Sequence, residues 1–275
     1  MTYFAPEARA AFDGLGYRGF WMGYFAARSA PLGTVPAEVV TATFYNFAPE
    51  RVAKALRGAW AVAGPESALR ARQESAVAAL GRYGITDDAA VRAAAELARK
   101  AARHPAVDGR PLFAANRALS WPDDPLPALW HAVTLLREHR GDTHVAVLTA
   151  EGVSGRESNV LHVAAGRVPR EYMMRARDYD DASWREHETA LAARGLVDDR
   201  GALTAAGTEL KDHIEDRTDR LALAALDALE DEEVERLFRA LTPLTRRVIA
   251  GGDVPGMTPL GLRHDDLDDD GATPQ

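Results

Sequence analysis

Apolar side chains recur every three or four residues along nearly the whole chain, and stretches in which apolar and polar residues alternate are almost absent. Proline stands at the start of several periodic segments, for example at Pro6, Pro49 and Pro65, where the first turn of a helix needs no N–H donor. Since 47% of the 275 residues are hydrophobic, the chain can bury one large core or two small ones. The pattern predicts a mainly α-helical protein.

A change in helix length near residue 141 divides the predicted helices into two groups. The last helix of the first group is predicted over 128–140, and Gly141 is placed to end it in a left-handed conformation. The helices predicted after Asp142 are short and closely spaced. We therefore predict an N-terminal multi-helix domain over 1–141, a helix-turn-helix domain over 142–228, a C-terminal helix over 229–252 and an acidic disordered tail over 253–275.

The second group of helices carries clear local start and stop signals. Ser154, followed three residues later by Glu157, fits a capping box, and Asp181 is placed to cap a later helix. Residues 195–207, GLVDDRGALTAAG, are typical of a helix end, two short strands joined by a tight turn, and a new helix capped by Thr204. These signals predict a winged helix-turn-helix with a short two-stranded wing.

This order of elements resembles the winged helix-turn-helix of MarR-type regulators. The matching residues are Leu191, Arg194, Gly195, Leu196, Val197, Leu203, Thr204 and Gly207. Over residues 4–250 the chain is also similar to an actinobacterial helix-turn-helix family labelled SalK-like, through the segments FWMGYFAARSAPLG, PAEVVTATFYNF and LWHAVTLLREHRGDTHVAVL. The resemblance implies that the two halves belong together, and it carries over no catalytic residue.

The charge balance bears on whether the predicted winged helix binds DNA. The whole chain has a formal net charge of −8, and the segment 154–220 holds eleven basic residues against fourteen acidic ones. Polyanions are held mainly by Lys and Arg, whereas the helix expected to enter the groove begins with Asp178, Asp180 and Asp181. We conclude that the fold permits DNA as a partner and that the charge disfavours it.

The densest group of chemically capable side chains lies where the two predicted domains meet. Its members are Trp130, His131, Arg137, Glu138, His139, Arg140, Asp142 and His144. Three interpretations stay open: an ion-pair and capping network that joins the two halves, a ligand or active site, and a metal site of His139, Asp142, His144 and Glu138. Helical spacing places His131, Glu138 and Asp142 along one stripe, where they could face a common space.

Aromatic residues concentrate in two N-terminal segments. Phe20, Phe25, Phe44 and Phe47 are expected in the core. Polar groups beside such an apolar cluster are typical of a small-molecule pocket, and this favours Tyr24, Arg28 and Tyr45 as ligand contacts. Trp21 is compatible with either role.

These observations lead to the hypothesis of a protein that binds a small organic ligand, with enzymatic activity left open. In a catalytic version, His131 and His139 exchange protons. Glu138 or Asp142 orients an imidazole, and Arg137 or Arg140 stabilises a developing negative charge. The proposed ligand contacts are Trp21, Tyr24, Arg28, Tyr45, Trp130, Arg140, Asp142 and His144. No cofactor is expected, because no glycine-rich phosphate loop is present. The alternative is a MarR-like, ligand-responsive DNA-binding regulator that acts as a homodimer.

The chain also lacks features of exported and membrane proteins. It contains no cysteine, no basic segment followed by an apolar run at the N-terminus, and no apolar stretch of the length that a spanning helix needs. We therefore expect a cytoplasmic protein with no membrane partner and no resident metal.

Overall fold

The computed structural model describes residues 2–258 and 264, and the regular secondary structure in this part is helical. The helices of the first half are α1 Pro6–Gly14, α2 Gly19–Ser29, α3 Ala37–Phe44, α4 Pro49–Leu56, α5 Ala59–Val62, α6 Pro65–Arg82, α7 Ala89–Arg103, α8 Pro111–Arg117 and α9 Pro125–Ala150. Those of the second half are α10 Gly155–Ala164, α11 Arg170–Arg177, α12 Asp181–Ala193, α13 Ala205–Leu223 and α14 Asp231–Ala250. The predicted mainly α-helical class is confirmed.

The long helix α9 packs against α6, α7, α8 and α13, so that its two ends belong to different hydrophobic cores. Near its N-terminal end, Trp130 and Leu135 pack in a core shared with α7 and α14. Near its C-terminal end, Val147 and Leu148 pack in the core of the helix-turn-helix region. The predicted helix end at Gly141 is wrong, because burial on both sides of this glycine stabilises the continuous helix more than the glycine weakens it.

One continuous helix therefore crosses the boundary predicted between the regions 1–141 and 142–228. A shared helix does not decide whether the two regions are separate domains, so the predicted division stays a prediction. The helix predicted over 229–252 corresponds to α14, which packs on α7. Most of the predicted tail over 253–275 lies outside the described residues, although Asp253 does pair with Arg82.

The helix-turn-helix region forms as the capping signals predict. Ser154 and Glu157 make the expected capping box at the start of α10. Thr204 caps α13 by accepting a hydrogen bond from the N–H of Gly207. The cap predicted for α12 is wrong by one residue: Asp180, in an extended conformation, accepts from the N–H of Ser183 at 2.7 Å, and Asp181 is the first helical residue.

The predicted two-stranded wing is wrong in this structure. Val197 and Leu203 form one isolated antiparallel bridge, and no strand forms within residues 195–207. The turn between them is closed by the Asp198 carboxylate, which accepts hydrogen bonds from the backbone N–H groups of Arg200 and Ala202. The segment keeps the position of a wing but forms one bridge and no ladder, because α12 ends at Ala193 and α13 begins at Ala205, which leaves few residues for strands on either side of the turn.

Gly207 explains why the sequence LTAAG follows the bridge. A Cβ at this position would lie 2.0 Å from the carbonyl oxygen of Leu196, so α13 approaches the bridge segment at backbone distance. Only glycine leaves room for this contact. The close approach fixes α13 against the end of α12.

In the described residues, no helix combines the length and apolar character required to cross a membrane.

Candidate functional site

The polar side chains of α9 do not surround one hollow, as the sequence analysis expected, but face four different neighbours. Glu138 meets α2, His131 meets Trp121, His139 meets α8, and His144 meets α13. A helix presents successive residues around its whole circumference, and α9 has partners on most sides. None of these contacts joins His131 or His139 to Glu138, and the catalytic roles of these residues stay a prediction.

Glu138 is buried and forms the main polar link between α2 and α9. Its carboxylate accepts from Nε of Arg28 at 3.3 Å and from Nη2 of Arg28 at 3.1 Å, and it also pairs with the half-exposed Arg137. Burial alone would raise the pKa of Glu138, but the two guanidiniums outweigh it and hold the pKa at about 2. Glu138 is therefore an anion at neutral pH and cannot donate a proton there.

Arg28 and Tyr24 join this ion pair to the aromatic cluster. Nη1 of Arg28 donates to the Tyr24 hydroxyl at 3.1 Å, and its guanidinium lies 4.3 Å from the centroid of the Phe44 ring. Burial would raise the pKa of Tyr24, yet the positive charges of Arg28, Arg137 and Arg177 together lower it. The electrostatic potential at this hydroxyl is therefore positive.

The aromatic cluster is closely packed around Tyr24. Its ring centroid lies between 4.9 and 6.5 Å from those of six others, Tyr3, Phe20, Trp21, Phe25, Phe44 and Phe47. Rings at these separations are in contact, so they leave no hollow between them. Phe25, Phe44 and Phe47 are buried in the core as predicted, whereas Phe20 is only partly buried and packs against its edge. The ligand role of Trp21 and Tyr24 stays a prediction.

The two histidines proposed as proton carriers are buried and neutral. His131 stacks edge-on against Trp121, with ring centroids 4.7 Å apart, and burial together with nearby arginines lowers its pKa to about 4. His139 packs against Phe113 at 5.2 Å, and burial with the charge of Arg110 lowers its pKa to about 4 as well. One ring nitrogen of each has no hydrogen-bond partner in the described part of the protein.

The remaining proposed residues of α9 make contacts between helices. Asp142 accepts from the N–H of Phe113 at 2.8 Å, and its burial raises its pKa to about 6. Arg140 pairs with Glu215 and Asp219 of α13. His144 Nδ1 lies 3.0 Å from the hydroxyl oxygen of Thr218, also on α13. Trp130 is buried, and its Nε1 donates to the hydroxyl of Thr2.

Tyr45 connects the first half of the chain to the helix-turn-helix region. Its backbone has φ +40°, and its hydroxyl donates to the carbonyl oxygen of Val153 at 2.8 Å. Its own carbonyl oxygen lies so close to α10 that a Cβ on Gly155 would be 1.9 Å away. The side chain of Asn159 also donates to the carbonyl oxygen of Asn46. The strained turn after α3 is thus held against the start of α10, a contact that the sequence analysis missed.

The helix α12 exposes one face to solvent. Trp184 and Leu191 anchor its other face in the core. The exposed side carries Ala182, Arg185, Glu186 and Thr189, which follow one another at helical spacing. The helix therefore has an inner face that holds it and an outer face free to meet a partner.

Several of the acidic side chains counted in residues 154–220 already have partners in the structure. Asp178 pairs with Arg51, Asp181 pairs with Arg170, Asp180 caps α12, and Asp198 closes the turn after it. Six exposed arginines of residues 154–220 form no ion pair with any described residue: Arg167, Arg175, Arg185, Arg200, Arg217 and Arg220. The carboxylates at the start of α12 are thus partly neutralised, while these guanidiniums are not.

Among the described residues, no group of three or more His, Asp or Glu side chains is arranged to hold a metal ion, so His139, Asp142, His144 and Glu138 do not form the metal site considered above. Two shallow depressions lie elsewhere on the described surface. One is on α13 beside His213 and Asp216, and the other lies between α7 and α14 beside Lys100.

Comparison with known families agrees with the geometry of the second half. The model of a helix-turn-helix family matches residues 1–255, and therefore both halves of the chain. No curated protein and no solved structure matches the sequence.

Proposed function

Because this chain belongs to that helix-turn-helix family, we propose that it binds duplex DNA and acts as a regulator. In the proposed complex, α12 enters the major groove and the turn after it, around Arg200, lies along the phosphate backbone. This proposal follows the alternative from the sequence analysis and drops the catalytic role of His131 and His139. Both histidines are buried, and neither touches the outer face of α12. The cytoplasmic location expected from the sequence remains part of this proposal.

The observation that carries the proposal is the outer face of α12. Arg185 lies at its centre, is exposed, and has no carboxylate partner in the described part of the chain. A guanidinium in that position can contact a phosphate or the edge of a guanine. Thr189, one turn further on, offers a hydroxyl and a methyl group to the same groove.

Acidic residues on the same helix do not exclude this mode of binding. Asp180 is occupied by the N–H of Ser183, and Asp181 by Arg170. Glu186 is the carboxylate left on the outer face beside Arg185. We therefore expect binding of moderate affinity that depends on a few arginines and not on a broad basic surface.

The test is fluorescence anisotropy with a labelled duplex taken from upstream of the protein's own coding sequence, over a series of salt concentrations. We expect affinity to fall with salt, and Arg185→Ala and Arg200→Ala each to weaken binding. If each arginine contacts one phosphate, each substitution lowers the salt slope by about 0.9. The control is Arg57→Ala, because Arg57 is exposed outside the helix-turn-helix region.

Loss of binding in Arg57→Ala equal to that in Arg185→Ala would show nonspecific attraction and contradict the assignment of α12. Absence of any retention on DNA at low salt would overturn the proposed function itself.

A further inference from the structure

Residues 251–258 lead from the end of α14 to the helix-turn-helix region. At their start, Asp253 accepts hydrogen bonds from Arg82 and from the Tyr83 hydroxyl at the end of α6. At their end, the carbonyl oxygen of Met257 accepts from the hydroxyl of Tyr172 on α11 at 2.9 Å. The residues that follow Met257 therefore start beside α11.

The face of α11 that holds Met257 also carries an unpaired arginine. Arg175 follows Tyr172 by three residues, so the two side chains are neighbours on the helix surface. Arg175 is exposed and forms no ion pair with any described residue, and the same holds for three other arginines between the start of α11 and the turn after α12. We call these four the arginine group: Arg167, Arg175, Arg185 and Arg200.

The densest run of carboxylates in the chain begins eight residues after Met257. Residues 265–270, DDLDDD, are here called the acidic segment, and their five aspartates account for five of the eight net negative charges of the chain. They lie outside the described residues. His264, which precedes them, is described, and its ring nitrogen Nε2 is shielded from solvent.

The acidic segment can reach the arginine group. An extended chain spans at most about 3.5 Å per residue, so eight residues cover up to about 28 Å from the hydrogen bond at Tyr172. The helix α12 has 13 residues and is therefore about 20 Å long. A connection of this length holds the carboxylates at an effective concentration of about 1 mM near the arginines.

We propose that the acidic segment binds the arginine group and competes with DNA for it. The competition rests on the proposed function, whereas the contact itself does not. The aspartates supply carboxylates to guanidiniums that lack them, and they do so through the same N–H groups that would contact phosphates. The unpaired arginines of α13, Arg217 and Arg220, are not the proposed site, because Met257 is held on α11.

This contact makes the chain an inhibitor of its own DNA binding. A duplex that approaches α12 must displace the acidic segment before Arg185 can contact it. The negative charge that disfavours DNA binding by the whole chain is then largely local, and a change that moves or neutralises residues 265–270 would increase DNA affinity.

The contact is tested first in the full chain without DNA. The sequence contains no cysteine, so Ala272→Cys provides a single site for a nitroxide spin label close to the acidic segment. In NMR spectra we expect the label to broaden the amide signals of Arg175 and Arg185 more than those of Arg217 and Arg220. The broadening should disappear at about 1 M salt, where the Debye length is about 3 Å.

The effect on DNA is tested with two variants of the full chain that lose the same number of negative charges. The segment variant changes the five aspartates of residues 265–270 to Asn. The control variant changes five exposed acidic residues of the first half to their amides: Glu66, Glu74, Glu96, Asp108 and Asp123. Long-range repulsion of DNA is reduced in both, whereas only the segment variant loses the proposed contact.

In the anisotropy assay at low salt, we expect the segment variant to bind the duplex about tenfold more tightly than the wild type. The control variant should gain clearly less. The segment variant carrying Ala272→Cys and the label should also lose the broadening at Arg175 and Arg185.

The contact is overturned if the label broadens no signal of α11 or α12, if it broadens those of Arg217 and Arg220 instead, or if the segment variant keeps the broadening. The competition is overturned if the segment and control variants gain the same affinity. If neither the wild type nor the segment variant binds the duplex, the proposed function fails together with the competition, while the label still decides the contact.

Discussion

Arg28 of α2 donates through two nitrogens to the two carboxylate oxygens of Glu138 of α9, and both side chains are at most 12% exposed. This pair fixes the aromatic cluster against the long helix. Removing Glu138 would leave Arg28 as an uncompensated charge in the interior, whereas Glu138 without Arg28 would still pair with Arg137.

The substitution Glu138→Gln is expected to destabilise the protein by about 3 kcal/mol, because Arg28 would then be buried without a counter-ion. Urea unfolding at neutral pH measures this loss. The control is Glu66→Gln, since Glu66 forms only an exposed pair with Arg70. Equal stability of Glu138→Gln and the wild type would show that the pair contributes nothing.

Glu138 also makes stability depend on acid pH. Its pKa in the folded protein, about 2, is below the ordinary value of 4.5. The unfolded chain therefore binds the proton more readily, and the stabilisation, present above pH 4.5, is lost as the pH falls towards 2. We expect this part of the acid loss to be missing in Glu138→Gln when unfolding free energies are compared over that range.

Asp142 is expected to behave in the opposite way. Burial raises its pKa to about 6 from 3.8, so the folded protein binds the proton more readily and stability falls as the pH rises between these values. At neutral pH, Asp142→Asn should be more stable than the wild type by about 1–2 kcal/mol, with the difference vanishing near pH 4. Its amide oxygen can still accept from Phe113. A constant difference at all pH values would contradict this account.

Gly155→Ala tests the contact between the two halves of the chain. The added Cβ would meet the carbonyl oxygen of Tyr45 at 1.9 Å, and neither backbone can move freely. We expect a loss of about 1–3 kcal/mol in unfolding free energy. In Gly81→Ala, where the Cβ of a helical residue would meet nothing within 4 Å, we expect a slight gain.

Two neighbouring aspartates at the start of α12 give a test of its cap. Asp180→Ala removes the acceptor for the N–H of Ser183 and should cost about 1 kcal/mol. Asp181→Ala removes only an exposed pair with Arg170 and should cost little. Thermal unfolding of the two variants side by side distinguishes them, and the reverse order would restore the cap predicted from the sequence.

The sequence predicted helix caps and helix ends correctly where they depend on hydrogen bonds between neighbouring residues. The capping box of Ser154, the cap at Thr204 and the helix end at Gly195 each depend on residues within one turn, and each formed as expected. Gly141 carried a similar signal for a helix end. It was overridden because contacts with separate cores stabilise α9 on both of its sides, and a single glycine costs less than that burial.

The candidate site was harder to predict because its residues lie on different helices and come into contact only in the folded protein. Helical spacing placed His131, Glu138 and Asp142 on one stripe, but it could not show which neighbour each of them meets. Arg177 was visible in the sequence only as one more basic residue. Its packing against Phe47 depends on how α11 lies against the first half of the chain, and no local signal gives that position.

The continuity of α9 limits how α12 can move relative to the first half of the chain. A helix-turn-helix joined through a flexible linker can reorient freely. Here the helix-turn-helix region shares the continuous helix α9 with the first half of the chain, and the hydrogen bond from Tyr45 to Val153 holds the start of α10 as well. A change that repositions α12 must therefore bend α9, most easily at Gly141, or tilt α11 and α12 while α9 stays in place. The second route must displace Met173, Trp184 and Leu191 from the core of the helix-turn-helix region, so both routes disturb buried side chains and α12 is held in place.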